Sequence, residues 1–376
     1  MNKTVSVVMP CLNEASTVGP CVSSTREILN KHQLQGEIIV VDNGSTDDSA
    51  VIAQKCGASV IFEPIQGYGS AYLKGLQAIK GDFIVMGDSD GTYDFREIPK
   101  LIEPLYKGYD MVIGSRTKGN IQPGAMPWLH RYLGTPLLSR LLNFFYKLNL
   151  SDINSGMRAF TKSAYQKMSL TSSGMEFASE MLIKARHVHL KIAEVPIAYS
   201  VRKGKSKLNS FSDGWRHLSL ILAYSSTRRF MLPGFLCLMG GTAISGLLAL
   251  GPLKIGTFKF DYHYMMAATL TTILSFQILS FLFLAKTFLA KKHQSSQDVL
   301  FHVIHRFISL HGIKSSMISI SVGFLLGLSI IYSWVHTHFG ELNKVRTGLL
   351  CFTFLIMGLQ LLFATLFLKI IDSRDS

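Results

Sequence analysis

The chain has 376 residues, 48% of them hydrophobic, and a formal charge of +14. That length and apolar content argue against one small soluble domain and allow two or three domains with a large core. Its scattered cysteines, Cys11, Cys21, Cys56, Cys237 and Cys351, form no CxxC pair and have no His-x-x-His nearby, which speaks against a disulfide frame or a zinc site.

In chain order, "KTVSVVMP" opens without the long apolar stretch of a signal peptide, so the first half is expected in the cytoplasm. "VSVVMP", "EIIVVD", "SVIFEP" and "DFIVMGD" read as strands, and the stretches opening near Ala15, Ser45 and Ser70 read as the helices between them. This rhythm predicts an α/β domain with a mostly parallel sheet covered on both faces. Ligands of such sheets bind at the carboxyl ends of the strands, where Asn13, Glu14, Asp42, Asp88 and Asp90 fall. A dinucleotide-binding Rossmann domain would need G-x-G-x-x-G after the first strand, where "PCLNEAST" stands.

The fourth strand ends in "GDSDGTYD". Asp88 and Asp90, at D-x-D spacing on a strand-end turn, suit Mg²⁺ or Mn²⁺, with water and substrate phosphates completing the shell. Asp94 suits instead the N-cap of a helix beginning near Phe95.

Charge-free stretches follow between Arg229 and Lys254, from Tyr262 to Ala285, from Ser315 to Gly340 and from Thr347 to Leu368. Each exceeds the roughly 20 helical residues that cross a bilayer core. Arg228, Arg229, Lys286, Lys291, Lys292, Arg306, Lys314, Lys369 and Arg374 outnumber Lys254, Lys259, Lys344 and Arg346 on the opposite loops. The positive-inside rule then predicts a multi-pass protein with its N-terminal half, middle loop and C-terminus cytoplasmic. Two amphipathic segments are expected at the interface: "SFSDGWRHLSLILAYSSTRR" before the first span, and "QDVLFHVIHRFISLHGIK" in the middle loop, whose histidines, with His293, read as a wet face. The expected organisation is a catalytic domain over 1–210, a juxtamembrane segment over 211–229, a hairpin of spans over 230–290, an interfacial segment over 291–314 and a second hairpin with a short tail over 315–376.

"VVMPCLNE", "VVDNGSTDDS", "QGYGSAYLKG", "GDSDGTYD", "VIGSR" and "DINSGMRAF", in that order ahead of membrane spans, resemble the family 2 glycosyltransferases of the GT-A fold. The resemblance is strongest to the polyprenyl-phosphate glycosyltransferases, the group of dolichol-phosphate mannose and glucose synthases. It implies transfer of a hexose, with inversion, from a nucleotide-diphosphate sugar to polyprenyl phosphate; a UDP-sugar is favoured and GDP-mannose comes next. Pro10, Asn13, Glu14 and Asp42 would line the base pocket, and Gly67, Arg202 and Lys207 would complete the donor site. Asp88 and Asp90 would hold the metal, Arg116 would join them in catalysis, and Ser115, Arg131, Ser155 and Arg158 would take the acceptor phosphate. Thr92 stands where some relatives supply a third metal ligand as Gln, and Asn43 where many have a second Asp. Nucleic acid is not an expected partner, and a homo-oligomer is compatible with the resemblance.

Glu176 and Glu180 in "GMEFASEMLIKA" are the carboxylates available as a general base, which a hydroxyl acceptor would require and a lipid phosphate would not. Two alternatives therefore stand beside the lipid-phosphate reading. One is a membrane glycosyltransferase with a hydroxyl acceptor, and the other a non-catalytic subunit that binds nucleotide sugar. A processive polysaccharide synthase is disfavoured, because no Q-x-x-R-W string occurs.

Overall fold

The structure, a computed structural model, describes residues 3–204, 210–292 and 299–373. It divides into two units, Met1–Ile221 and Leu222–Ser376.

In the first unit β1 (Val5–Cys11), α1 (Val18–Lys31), β2 (Gly36–Asp42), α2 (Ser49–Lys55), β3 (Ser59–Phe62), α3 (Tyr68–Gln77) and β4 (Phe83–Met86) alternate as expected. Their β-branched residues are covered on both faces: Val7, Val8, Val40, Val41, Ile84 and Val85 are fully buried, the pattern of parallel strands between helices. Asp94 caps a short turn (Phe95–Glu97) by accepting from the Arg96 amide at 3.0 Å. After it come α4 (Ile98–Tyr106), β5 (Met111–Ser115), a wide turn (His130–Gly134) running into α5 (Thr135–Tyr146), β6 (Arg158–Thr161), α6 (Lys162–Met168), α7 (Phe177–His187), β7 (Ile192–Pro196) and α8 (Ser210–Tyr224).

The strands lie in the order β3-β2-β1-β4-β6-β5-β7. Only β6 runs against its neighbours, β4 and β5. The chain winds outward from β1 through β2 to β3, then returns so that β4 pairs with the other side of β1. Such a reversal opens a crevice at the carboxyl ends of the two central strands. It brings the residues after Cys11 beside the acidic turn after Met86.

α8 covers most of the expected juxtamembrane segment over 211–229. Its inner face is packed on the first unit: the Ser179 hydroxyl and His217 Nδ1 lie 2.8 Å apart, the Tyr146 hydroxyl donates to the Ile221 carbonyl at 2.8 Å, and Leu220 and Ile221 are fully buried. Trp215 stays exposed.

The second unit contains α9 (Thr227–Ala249), a hairpin of β8 (Leu253–Ile255) and β9 (Phe258–Phe260), α10 (Tyr262–Lys292), α11 (Val299–His336) and α12 (Val345–Ser373). Among the described residues four helices are long and apolar enough to cross a membrane. α11 runs unbroken for 38 residues, joining most of the expected interfacial segment to the third charge-free stretch in one helix. At 1.5 Å per residue it is about 57 Å long, against a hydrocarbon core of about 30 Å. Histidine and arginine interrupt its apolar run without ending the helix, so residues 299–314 are the first turns of the third long helix. His293 and Arg374 lie outside the described residues. Lys286, buried at the end of α10, donates to the Ser225 carbonyl and to Thr227 Oγ1. At the other end of the bundle Arg346 pairs with Asp261, and the Tyr262 hydroxyl donates to Asn343.

Candidate active site

The loops after β1 and β2 are tied together by side chains. Asn13 adopts a left-handed conformation (φ 52°), which asparagine tolerates. Its Oδ1 accepts from the Thr46 amide at 2.7 Å while its own amide donates to the Ser45 hydroxyl at 3.0 Å. Asp42 Oδ1 accepts from the Ser45 amide at 3.0 Å, and the Glu14 amide donates to Ser49 at 2.8 Å. The Pro10 carbonyl accepts from the Ser89 hydroxyl at 2.6 Å, fastening β1 to the acidic turn. Pro10, Asn13, Glu14, Asp42, Asp88 and Asp90 therefore border one crevice.

Within it the two carboxylates have different surroundings. Asp88 Oδ1 accepts from the Tyr72 hydroxyl at 3.1 Å, and Tyr68 brings a second phenol against the same group. Burial pushes both phenols well above their usual pKa, so they remain donors. Burial, then the neighbouring Asp90 charge, pushes the Asp88 carboxyl up to about 7, as expected for like charges sharing a desolvated site. Asp90 Oδ1 accepts from the Thr92 amide at 3.0 Å and the Thr92 hydroxyl at 2.6 Å. Thr92 thus orients the carboxylate it follows, and Asp90 Oδ2 is turned toward Arg202, 3.4 Å away. Arg202 also donates to Glu14 at 2.7 Å.

Among the described residues no group of three or more His, Cys, Asp or Glu could hold a metal. A paired carboxylate site facing a guanidinium still suits a hard divalent cation that takes its remaining oxygens from water and a diphosphate. Asp88 and Asp90 would hold it.

Several expected phosphate ligands are turned inward. Arg116 forks onto Asp152, with Nε to Oδ2 at 2.7 Å and a terminal nitrogen to Oδ1 at 2.9 Å, and stacks over Tyr199. Both partners are buried, so a side chain expected beside the reacting groups is committed to an interior ion pair. Arg158 donates to the carbonyls of Ile153, Ser155 and Ala178 at 2.7–2.9 Å, clamping the loop before β6 onto α7. Ser115 is buried in a hydroxyl network with Ser151 and Thr117. Ser155 is buried, and its hydroxyl has no hydrogen-bond partner. The side chains of Arg116, Arg158 and Ser115 are thus engaged by interior partners. Arg131 alone of the expected acceptor set is exposed, on a surface that also presents Trp128, Leu129, Tyr132, Leu133, Leu137 and Phe144. Gly67 is needed for packing: a Cβ there would collide with the Ser173 carbonyl. Lys207 lies outside the described residues.

Residues 6–169 match the model of glycosyl transferase family 2, and residues 283–372 that of the glycosyltransferase family 2 C-terminal transmembrane region. The low-salt glycan biosynthesis hexosyltransferase Agl6 of Haloferax volcanii is 36% identical over 370 residues, covering 97% of this chain and 88% of that protein. The chain belongs to the family 2 glycosyltransferases. Another relative of this glycosyltransferase, the dolichyl-phosphate hexose transferase of Haloferax volcanii, is 34% identical over 211 residues, 56% of this chain and 89% of that one. Among solved structures, glucosyl-3-phosphoglycerate synthase from Mycobacterium tuberculosis in complex with Mn²⁺, UDP and glucosyl-3-phosphoglycerate is 26% identical, covering 59% of this chain and 79% of that chain with a TM-score of 0.48.

Sequence reasoning missed the supports of the glycosyltransferase site. Tyr68 and Tyr72 are spaced i, i+4 on α3, which puts both on one helix face; that spacing was the available signal. Asn43 explains its own departure from the family pattern. Its amide donates to the carbonyls of Glu63 and Ile65 at 2.9 and 2.8 Å, and its oxygen accepts from the Gly67 amide at 2.8 Å. An aspartate could accept but not donate. Asn43→Asp is therefore expected to destabilise the catalytic unit by about 2 kcal/mol, read as a lower thermal midpoint of the purified protein.

Proposed function

We propose that this glycosyltransferase moves a hexose, with inversion, from a nucleotide-diphosphate sugar to polyprenyl phosphate. A UDP-sugar is the first candidate donor and GDP-mannose the second. The observation that carries the reading is the Asp88–Asp90 pair at the crevice between β1 and β4, with Arg202 facing it, in a chain that continues into four apolar helices. The names of the two Haloferax volcanii relatives, a hexosyltransferase of glycan biosynthesis and a dolichyl-phosphate hexose transferase, support the same transfer.

Asp90 Oδ2 and Asp88 would hold Mg²⁺ or Mn²⁺, with Thr92 and the Tyr68–Tyr72 pair keeping both carboxylates in place. When bound, the cation neutralises charge developing on the departing diphosphate. Arg202 would grip that diphosphate, and the Asn13–Ser45–Asp42 loops would border the nucleotide. A lipid phosphate monoester, with a second pKa near 6, is an anionic nucleophile at neutral pH and needs no base from the protein. Catalysis then rests on positioning and charge neutralisation.

The acceptor side is supported by the exposed aromatic and aliphatic surface around Arg131. Tryptophan and tyrosine with basic neighbours favour the headgroup layer of a bilayer, where a polyprenyl phosphate presents its charge. The excess of basic residues at one set of loops supports a cytoplasmic catalytic unit. Arg131→Ala is expected to raise the KM for polyprenyl phosphate about tenfold through the loss of one charged hydrogen bond, with the KM for nucleotide sugar unchanged.

One observation favours a hydroxyl acceptor instead: Glu176 Oε2 is buried and accepts no hydrogen bond. Glu180 is unsuited to that role, since Thr171, Ser172 and Lys184 occupy its oxygens. Assaying Glu176→Gln beside Arg131→Ala separates the readings. Retained turnover in Glu176→Gln fits the phosphate acceptor, and its loss with normal folding favours the hydroxyl.

A further inference from the structure

Arg202 reaches the acidic crevice along a path fixed by the backbone. Beyond β7 the amide of Ile197 donates to the Ser115 carbonyl at 3.1 Å, that of Tyr199 to Asn120 at 2.9 Å and that of Ser200 to Thr92 at 2.9 Å. The chain is thereby laid across the turn that carries Asp90, and Arg202 emerges over it. One terminal nitrogen of the guanidinium bonds Glu14 Oε1 at 2.7 Å, and the other lies 3.4 Å from Asp90 Oδ2. Because Thr92 engages Asp90 Oδ1, Oδ2 is the oxygen best placed for any cation. The buried Nε has no hydrogen-bond partner, so the fork is held along one edge only.

A guanidinium and a divalent cation cannot both press on Asp90 Oδ2, since like charges at such a separation repel strongly in a partly buried site. A diphosphate, however, offers the planar fork two oxygens at once. We propose that Arg202 is an internal stand-in for the divalent cation, and that it exchanges Glu14 and Asp90 for the donor diphosphate so that cation and nucleotide bind as one unit. The inference rests on the reading of the crevice as a nucleotide-diphosphate site. The cation alone must displace Arg202 and binds weakly. A diphosphate gives Arg202 another anion, so each ligand raises the affinity of the other, by the same factor in both directions.

The test is calorimetric titration of the full-length protein in detergent with Mn²⁺ alone, and with Mn²⁺ in the presence of saturating UDP or, separately, GDP. Wild type is expected to bind Mn²⁺ more tightly by about thirtyfold or more when its nucleotide is present. Arg202→Gln is expected to bind Mn²⁺ alone about tenfold more tightly than wild type and to lose most of the nucleotide enhancement. Unchanged affinity of Arg202→Gln for Mn²⁺ alone, with Mn²⁺ and nucleotide still bound by wild type, overturns the exchange and leaves the crevice reading standing. Failure of wild type to bind Mn²⁺ with either nucleotide overturns both. If the glutamine variant loses the wild-type melting transition, Arg202→Lys carries the comparison, because one ammonium cannot bridge both carboxylates. Its affinity for Mn²⁺ alone is then expected to exceed that of wild type by several-fold, and wild-type affinity overturns the proposal.

Discussion

Asp90→Asn is expected to lower kcat/KM for sugar transfer about a thousandfold, the scale on which removal of a charge-stabilising group at a reacting centre is felt. The substitution is chosen because it separates chemistry from folding. Asparagine keeps an oxygen to accept from the Thr92 amide and hydroxyl, the two bonds that hold the turn, so the melting temperature is expected to stay near that of wild type. What is lost is the negative charge at Oδ2, the atom facing Arg202. Radiolabelled transfer to membrane lipid, measured beside a thermal melt, checks both halves. Full transfer by Asp90→Asn would remove the carboxylate pair from the reaction.

Arg116→Met is expected to act on stability. Asp152 is completely buried and its two oxygens are held by the Arg116 fork and amide. Deleting one partner of a buried pair strands the other charge at a cost of about 3–5 kcal/mol, or a fall of about 10 °C in the melting temperature for a unit of this size. Adding Asp152→Leu is expected to recover more than half of that fall, since a matched apolar pair avoids the stranded charge. Burial pushes the Asp152 carboxyl up, but the Arg116 charge and hydrogen bonds hold it below the usual carboxylate range. The pair's contribution is therefore complete above the unfolded-state pKa of about 3.9 and is lost as pH falls below it toward the depressed native value. An Arg116→Met protein that melts like wild type but fails in turnover would return this arginine to the substrate.

Part of this architecture is legible in the residues themselves. The β-branched runs ending at Pro10, Asp42 and Met86 mark strands whose polar successors face a crevice, and the D-x-D spacing marks the strand-end turn that carries the paired carboxylates. The four charge-free stretches announce the spans. The rest depends on contacts distant in sequence. Arg116 beside small residues reads the same whether it grips a phosphate or Asp152, 36 positions away. Arg158 likewise gives no local sign that three carbonyls will take its donors. The insertion of β6 between β4 and β5 has no local signature, because an antiparallel strand buried among parallel ones carries the same apolar residues. α8 looks like a membrane-surface helix by its amphipathic pattern alone; the contacts of His217 with Ser179 and of Ile221 with Tyr146 show that its inner face is already occupied. Thr92, which reads as a missing ligand, proves to be the group that orients Asp90.

Delivery of sugar from the Asp88–Asp90 crevice to a lipid phosphate, as proposed, can be measured on the product itself. The most direct test incubates the purified full-length protein with Mn²⁺, polyprenyl phosphate and a panel of UDP- and GDP-hexoses, and identifies the lipid product by mass spectrometry. A polyprenyl monophosphate carrying one hexose, formed with equal release of nucleoside diphosphate and absent with Asp90→Asn, is the predicted result. A sugar found only on a lipid or glycan hydroxyl, or nucleoside diphosphate released with no sugar on the polyprenyl phosphate, would contradict it.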